Sequence, residues 1–261
     1  MSLISMSVSS AVLQTTVDLN VIAPYDTLGE KKGKKPCVLY LLHGIYGSHN
    51  SWVCNSNISR YVSGKNVLVV IPNMNNTFYV NNAHGIRYLD FMAHELPEII
   101  GNTFSVSQKR EDTFICGLSM GGYGAFRIAF EAPEKFACAA SLSGALDICE
   151  ISKNGGMDGF DDTIKNSFKI NFGENGVAPG DENDLFYLSE KTSHLKVKPK
   201  LLQYCGKQDF LYKHNQNFKN HIQKLDFEYN YYESDGIHDW NFWDDKIQKV
   251  LCEIEKINTN I

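Results

Sequence analysis

The sequence predicts an α/β fold, a mostly parallel central sheet with helices on both faces. Three observations carry this. Short apolar runs recur along the chain: "CVLYLLHG", "VLVVIPN", "TFICGLS", "FACAASLSG" and "KLLQYCG". Helical patterns separate them, and strands of a sheet covered on both faces read as unbroken apolar runs. With 261 residues, 43% hydrophobic and 21% charged, the chain can bury a sizeable core and has an ordinary globular composition.

The elements follow in order. The first 23 residues alternate apolar and polar, as in "TTVDLNVIA", which predicts one or two half-exposed antiparallel strands. "GEKKGKKP" reads as a charged turn. A helix is predicted over 85–100, with Leu89, Met92, Ala93, Leu96 and Ile100 on one face and a kink at Pro97. Further helices are predicted over 121–132, 210–225 and 240–257. The stretch from 147 to about 198 breaks the alternation. It is rich in Gly, Asn and Asp, with scattered aromatics such as Phe160, Phe168, Phe172, Phe186 and Tyr187. It is read as a cap or lid insertion over one end of the sheet, within a single domain spanning 1–261.

Net charge is −5 with no extended basic run, which argues against nucleic acid or an anionic membrane as main partner. No apolar stretch approaches the roughly 18 residues that span a bilayer. The N-terminus, "MSLISMSVSSAVLQ", lacks the basic and apolar regions of a signal peptide. Seven cysteines lie without CxxC spacing, and Cys116, Cys138 and Cys205 fall in apolar runs. Reduced, packed thiols in a cytoplasmic protein are expected.

The chemistry centres on "CGLSMGGYG", residues 116–124. An apolar strand, then Gly-Leu-Ser-Met-Gly, then a helix is the setting of a nucleophile elbow, which lifts the Ser119 hydroxyl above the carboxyl ends of the strands. Gly117 and Gly121 leave no Cβ to collide at that turn, and Gly122 and Gly124 let the helix pack closely. A serine hydroxyl needs a general base, itself oriented by an acid, and in α/β hydrolases the order is Ser, acid, His. "LLQYCGKQDF" places Asp209 past a late strand, and "YYESDGIHDW" places His238 in a loop before the last helix. Asp235, Asp239 and Asp147 compete for the acid's role, Asp235 most seriously.

Oxyanion donors are expected from the backbone N–H of Met120 and of Ile45, in the loop of "LYLLHGIYGSHNSW". His43 is expected to hold that loop by hydrogen bonds. Trp52 either walls an acyl pocket or covers core. Phe78, Tyr79 and Trp240 are expected to join it at the substrate. His214 and His221 fall on a predicted helix and read as solvated. No phosphate-binding glycine loop, HExxH pair or zinc-like Cys/His spacing occurs, and Asp158, Asp161 and Asp162 read as a solvated turn. No metal and no cofactor is expected.

Together "YLLHGIYGSHNSW", "VVIPN", "FICGLSMGGYGAF", "SLSGALD", "CGKQDFLY" and "GIHDW" resemble the tributyrin esterase (EstA-type acetyl esterase) group. This group lies within the esterase D and feruloyl-esterase-like superfamily of α/β hydrolases. The resemblance runs from about Cys37 to Trp243 and is weakest in the cap. It implies an α/β-hydrolase fold and a cofactor-free serine carboxylesterase acting on short acyl esters, acetyl or butyryl, of alcohols, sugars or aromatic acids. The triad carries over onto Ser119, Asp209 and His238, and the oxyanion donors onto Ile45 and Met120. The branch that hydrolyses S-formylglutathione carries a cysteine close behind the oxyanion loop. Here that loop reads Gly-Ile-Tyr-Gly, and Cys54 lies further along. An S-formylglutathione hydrolase-like thioesterase and a non-catalytic binding protein of the same fold are the alternatives. A small-molecule ester is the expected partner, and a homo-oligomer stays open.

Overall fold

The computed structural model describes residues 1–24, 34–153 and 159–258. Asp158 and residues 29–33 of the predicted charged turn lie outside the described residues. The chain opens with a hairpin of β1 (Ser2–Ser10) and β2 (Thr15–Ala23), two antiparallel strands where the alternating N-terminus predicts one or two. β3 (Cys37–Leu42), α1 (Ser51–Asn55), α2 (Ile58–Tyr61) and β4 (Val67–Pro72) follow. β2 joins β4 antiparallel, and every later pairing is parallel.

The predicted helix over 85–100 is broken into α3 (Tyr88–Asp90), a wide π turn (Phe91–Glu95) and α4 (Leu96–Thr103). The cause is Pro97, which has no N–H to offer the carbonyl four residues back and whose ring crowds it. That carbonyl, on Ala93, accepts instead from Lys135 Nζ at 2.9 Å. The predicted apolar face survives, with Leu89, Met92, Ala93, Leu96 and Ile100 all buried.

β5 (Thr113–Leu118), α5 (Met120–Glu131) and β6 (Cys138–Leu142) build the middle of the sheet. The segment before the next strand holds α6 (Ile148–Lys153), α7 (Asp162–Phe172) and α8 (Leu185–Ser193). β7 (Lys200–Gly206), α9 (Tyr212–Ile222), β8 (Tyr229–Ser234) and α10 (Trp240–Ile257) complete the chain. Among the described residues the sheet has eight strands in the order β1-β2-β4-β3-β5-β6-β7-β8.

Alternation along the strands explains the unbroken apolar runs. Val38, Tyr40 and Leu42 join one core with residues of α4, α5 and α9, while Leu39 and Leu41 join another with α1, α2 and α10. Each face must be apolar, since each is covered. Burying a leucine-sized side chain contributes about 1.5–3 kcal/mol. Cys116, Cys138 and Cys205 are buried in β5, β6 and β7, as the apolar runs predict. Among the described residues no helix is long and apolar enough to cross a membrane.

Candidate active site

The parallel strands bring their carboxyl ends to one edge, and the loops leaving β3, β5, β7 and β8 meet there. Ser119 sits between β5 and α5 at φ +53° and ψ −119°, a conformation that non-glycine residues rarely adopt. The surroundings hold it there. A Cβ on Gly117 would stand 2.2 Å from the Gly121 carbonyl oxygen, and one on Gly121 would stand 2.6 Å from that of His43. The Ser119 N–H donates to the Leu142 carbonyl at the end of β6, at 2.9 Å. Strained backbone of this kind persists only where neighbours over-determine it.

The loops after β7 and β8 are fused by backbone contact. A Cβ on Gly206 would lie 2.3 Å from the Gly236 oxygen. The N–H of Gln208 donates to that same oxygen at 3.1 Å, and Lys207 donates to Ser234 at 2.9 Å. Asp209 and His238 are thereby brought side by side. His238 Nδ1 lies 2.9 Å from Asp209 Oδ2, and its Nε2 lies 3.0 Å from Ser119 Oγ. A carboxylate only accepts, so Nδ1 carries the hydrogen and Nε2 accepts from the serine hydroxyl. The Asp209 side chain is fully buried and also accepts from the Leu211 N–H at 2.8 Å. Phe210 and Trp243 flank the imidazole, with ring centroids 4.4 and 4.9 Å away.

The acid's competitors are occupied elsewhere. Asp235 is exposed and accepts from Gln208 Nε2 at 3.4 Å. Asp239 caps α10, accepting from the Phe242 N–H at 3.0 Å. Asp147 accepts from Asn217 Nδ2 at 2.7 Å.

Met120 opens α5, so its N–H has no acceptor within the helix and sits at the positive end of the helix dipole. The loop after β3 comes up against the elbow, where a Cβ on Gly44 would lie 3.2 Å from Ser119 Cβ. His43 holds this loop, as predicted. Its Nδ1 donates to the Gly44 carbonyl at 2.8 Å, and its Nε2 accepts from the Met74 N–H at 3.1 Å. Burial pushes His43 down to about 4, so the neutral ring that makes both bonds is the stable form. A cavity of about 480 Å³ opens over Ser119, between the Gly44–Gly47 loop, Phe160, Phe210 and Trp240.

The sequence model of the "Putative esterase" family matches residues 10–254 of this chain. The chain belongs to that family. Over 99% of its length it is 30% identical to an acetyl esterase of Caldicellulosiruptor saccharolyticus, all of which is covered. Among solved structures it resembles the fluorophosphonate-binding serine hydrolase FphF of Staphylococcus aureus, determined substrate-bound. The TM-score is 0.87 at 31% identity, covering 98% of each chain. It also resembles the S-formylglutathione hydrolase FrmB of S. aureus. That TM-score is 0.84 at 31% identity, covering 98% of this chain and 99% of the other. The protein is a carboxylic ester hydrolase of the α/β-hydrolase type.

Of the residues expected at the substrate of this esterase, Phe78 and Tyr79 lie elsewhere, and Trp52 covers core, the other of its two readings. Trp240 does line the cavity. Trp52 is fully buried, donates from Nε1 to the Leu42 carbonyl at 3.0 Å, and stands edge-on behind Trp240. Phe78 and Tyr79 take left-handed backbone, φ +52° and +59°, and both are buried away from the cavity. Phe78 packs among Tyr123, Phe168 and Phe172, while the Tyr79 hydroxyl donates to the His43 carbonyl at 2.9 Å. His214 and His221 are half-buried rather than solvated, because α8 and the chain at Asp147 pack along α9. The His221 Nε2 lies 3.1 Å from Ser189 Oγ, and burial lowers His214.

Asp161 is no plain solvated turn. It caps α7, accepting from the Ile164 N–H at 3.1 Å, and accepts from the Tyr46 hydroxyl at 2.9 Å. The wall residues missed from the sequence are Tyr46, Phe160, Phe210 and Trp243. Tyr46 and Phe210 directly follow Ile45 and Asp209, so adjacency to a site residue was their signal. Phe160 had none.

Proposed function

We propose that this esterase hydrolyses short acyl esters through an acyl-enzyme on Ser119. The observation that carries the reading is the chain of hydrogen bonds from Ser119 through His238 to buried Asp209, at the floor of a cavity. The Ser119 oxygen attacks the ester carbonyl as its proton passes to His238 Nε2. The resulting oxyanion is held by the N–H groups of Met120 and Ile45. Collapse breaks the bond to the alcohol oxygen, which takes the proton from His238 and departs. Water, giving its proton to the same nitrogen, then attacks the acyl-enzyme, and the acid leaves. Asp209 stays ionised, fixing the imidazole tautomer and stabilising the imidazolium.

Phe160, Trp240 and Trp243 bound the cavity, and the segment between β6 and β7 acts as its cap. This supports short acyl chains, in keeping with a tributyrin-esterase-like enzyme. The C. saccharolyticus relative, an acetyl esterase, points the same way. The FrmB neighbour raises thioester hydrolysis as a second reading. Among the described residues lining the cavity there is no lysine or arginine to meet glutathione's carboxylates, and Asp239 would repel them. Neutral esters fit better.

The test is turnover of p-nitrophenyl acetate by the wild type and by Ser119→Ala. Removing a nucleophile of this kind lowers kcat on the order of 10⁶-fold, the scale set by subtilisin. A folded Ser119→Ala variant with near wild-type turnover would refute the proposal.

A further inference from the structure

Tyr46 follows Ile45 in the loop over Ser119 and holds a left-handed φ of +62°. A tyrosine keeps such a backbone only when its surroundings hold it. Burial does not supply the hold, because the residue is 65% exposed. Polar contacts do, and they form a closed circuit. The Tyr46 N–H donates to Asn76 Oδ1 at 3.0 Å. The carbonyl of the same Asn76 accepts from Asn171 Nδ2 at 2.7 Å, at the far end of α7. At the near end, Asp161 caps α7 with one carboxylate oxygen and accepts from the Tyr46 hydroxyl with the other, at 2.9 Å. The Tyr46 ring lies roughly parallel to Phe160, with centroids 6.5 Å apart. Both ends of α7 therefore brace one residue of the oxyanion loop.

We propose that Tyr46 is a positioning residue, through which α7 holds the Ile45 N–H in place for the developing oxyanion. This rests on the catalytic reading above. Ile45 lies in the turn that the Gly47 N–H closes on the Gly44 carbonyl at 3.1 Å, between Gly44, pressed on Ser119, and the braced Tyr46, so loosening Tyr46 lets that turn and the Ile45 N–H shift together. An exposed hydrogen bond contributes little to stability. A donor that acts only on the transition state instead appears in kcat, with KM unchanged. The bonding is self-consistent. The Asp161 hydrogen bond raises the Tyr46 phenol, and the capped N–H and the phenol lower Asp161, so the hydroxyl donates to a charged carboxylate.

The experiment compares the wild type with Tyr46→Phe, Asp161→Ala, the double variant and Asp161→Asn. It reads kcat and KM for p-nitrophenyl acetate and butyrate, the rate of fluorophosphonate labelling, and Tm. Removing an oxyanion donor outright lowers kcat about 10²–10³-fold, so a displaced one is expected to lower it roughly tenfold. Tyr46→Phe and Asp161→Ala should each show that loss, slower labelling and a nearly unchanged KM. The double variant should be no worse than either single one. Asp161→Asn, whose Oδ1 can cap α7 while its Nδ2 donates to the Tyr46 hydroxyl oxygen, should recover most of the rate. An unchanged kcat in Tyr46→Phe, a change confined to KM or to acyl-length preference, or losses that multiply in the double variant would each overturn the brace. A wild type that neither turns over esters nor takes the label would instead overturn the catalytic reading beneath it.

Discussion

The loop tips that carry Ser119, Asp209 and His238 and the segment between β6 and β7 are held in place by different means. At the tips, backbone touches backbone: Gly117 on Gly121, Gly121 on His43, Gly206 on Gly236. In the β6–β7 segment, side chains make the joints: Asp161 to Tyr46, Asn171 to Asn76, and Phe168 and Phe172 edge-on to Phe78. Backbone contact without room for a methyl group leaves no slack, whereas side-chain joints loosen one at a time. The tips should therefore fail abruptly when changed, and the segment by degrees.

After loss of the nucleophile itself, the largest effect expected at the tips is from Asp209→Asn, which presents the wrong hydrogen-bonding face to His238 Nδ1. A fall in kcat of roughly 10³–10⁴-fold is expected, as in serine proteases. Asp235→Asn and Asp239→Asn should stay within about tenfold. Steady-state rates with one p-nitrophenyl ester decide it, and a deeper fall for Asp235→Asn would reassign the acid.

Next comes Gly206→Ala. Its methyl group would press on the Gly236 carbonyl and part the acid loop from the histidine loop. Overpacking of this kind destabilises by about 3 kcal/mol, and an ångström of misplacement lowers the rate about 10²-fold. Urea unfolding and kcat measured on one preparation test both, and wild-type values would show slack that the geometry denies.

His43 extends the comparison to pH. The unfolded chain takes up a proton below the ordinary value of 6.5, while the buried native ring stays neutral to about 4. Its contribution is thus complete above pH 6.5 and is lost as pH falls across that window, on the order of 3 kcal/mol in all. Urea midpoints at pH 7 and pH 4.5 should converge in His43→Gln relative to wild type. An equal acid loss in both proteins would clear His43 of that role.

The smallest effect belongs to the β6–β7 segment. Phe160→Ala should widen the cavity, and each methylene newly accommodated gains about 0.8 kcal/mol, near fourfold in kcat/KM. The ratio of hexanoate to acetate turnover should rise by that order. A ratio that stays fixed would mean that Phe160 does not bound the acyl site.

The same contrast explains what was legible in the sequence. Backbone contact demands glycine, so the elbow showed itself in "CGLSMGGYG" and the histidine loop in "DGIHDW". The last helix, predicted over 240–257, runs Trp240–Ile257, because Asp239 caps its start. Side-chain joints leave no such pattern. The polar, glycine-rich stretch after β6 hid α6, α7 and α8, whose apolar contacts come from distant parts of the chain. Phe78 and Tyr79 lie away from the cavity, and Trp52 takes the core side of its two readings, for a related reason. Proximity to a site loop does not say whether a ring faces the cavity or the core, and the left-handed turn at Phe78 and Tyr79 sends them inward. At Pro97 the sequence located the break, while the π turn that absorbs it depends on Lys135, far along the chain.

The central claim, that Ser119 is a nucleophile activated by His238, is tested most directly by the site and rate of fluorophosphonate labelling. The measurement is the mass of the intact protein and of its peptides. One label on Ser119 in the wild type, none in Ser119→Ala, and greatly slowed labelling in His238→Ala are expected. Label on another residue, or on the Ser119→Ala protein, would contradict the account.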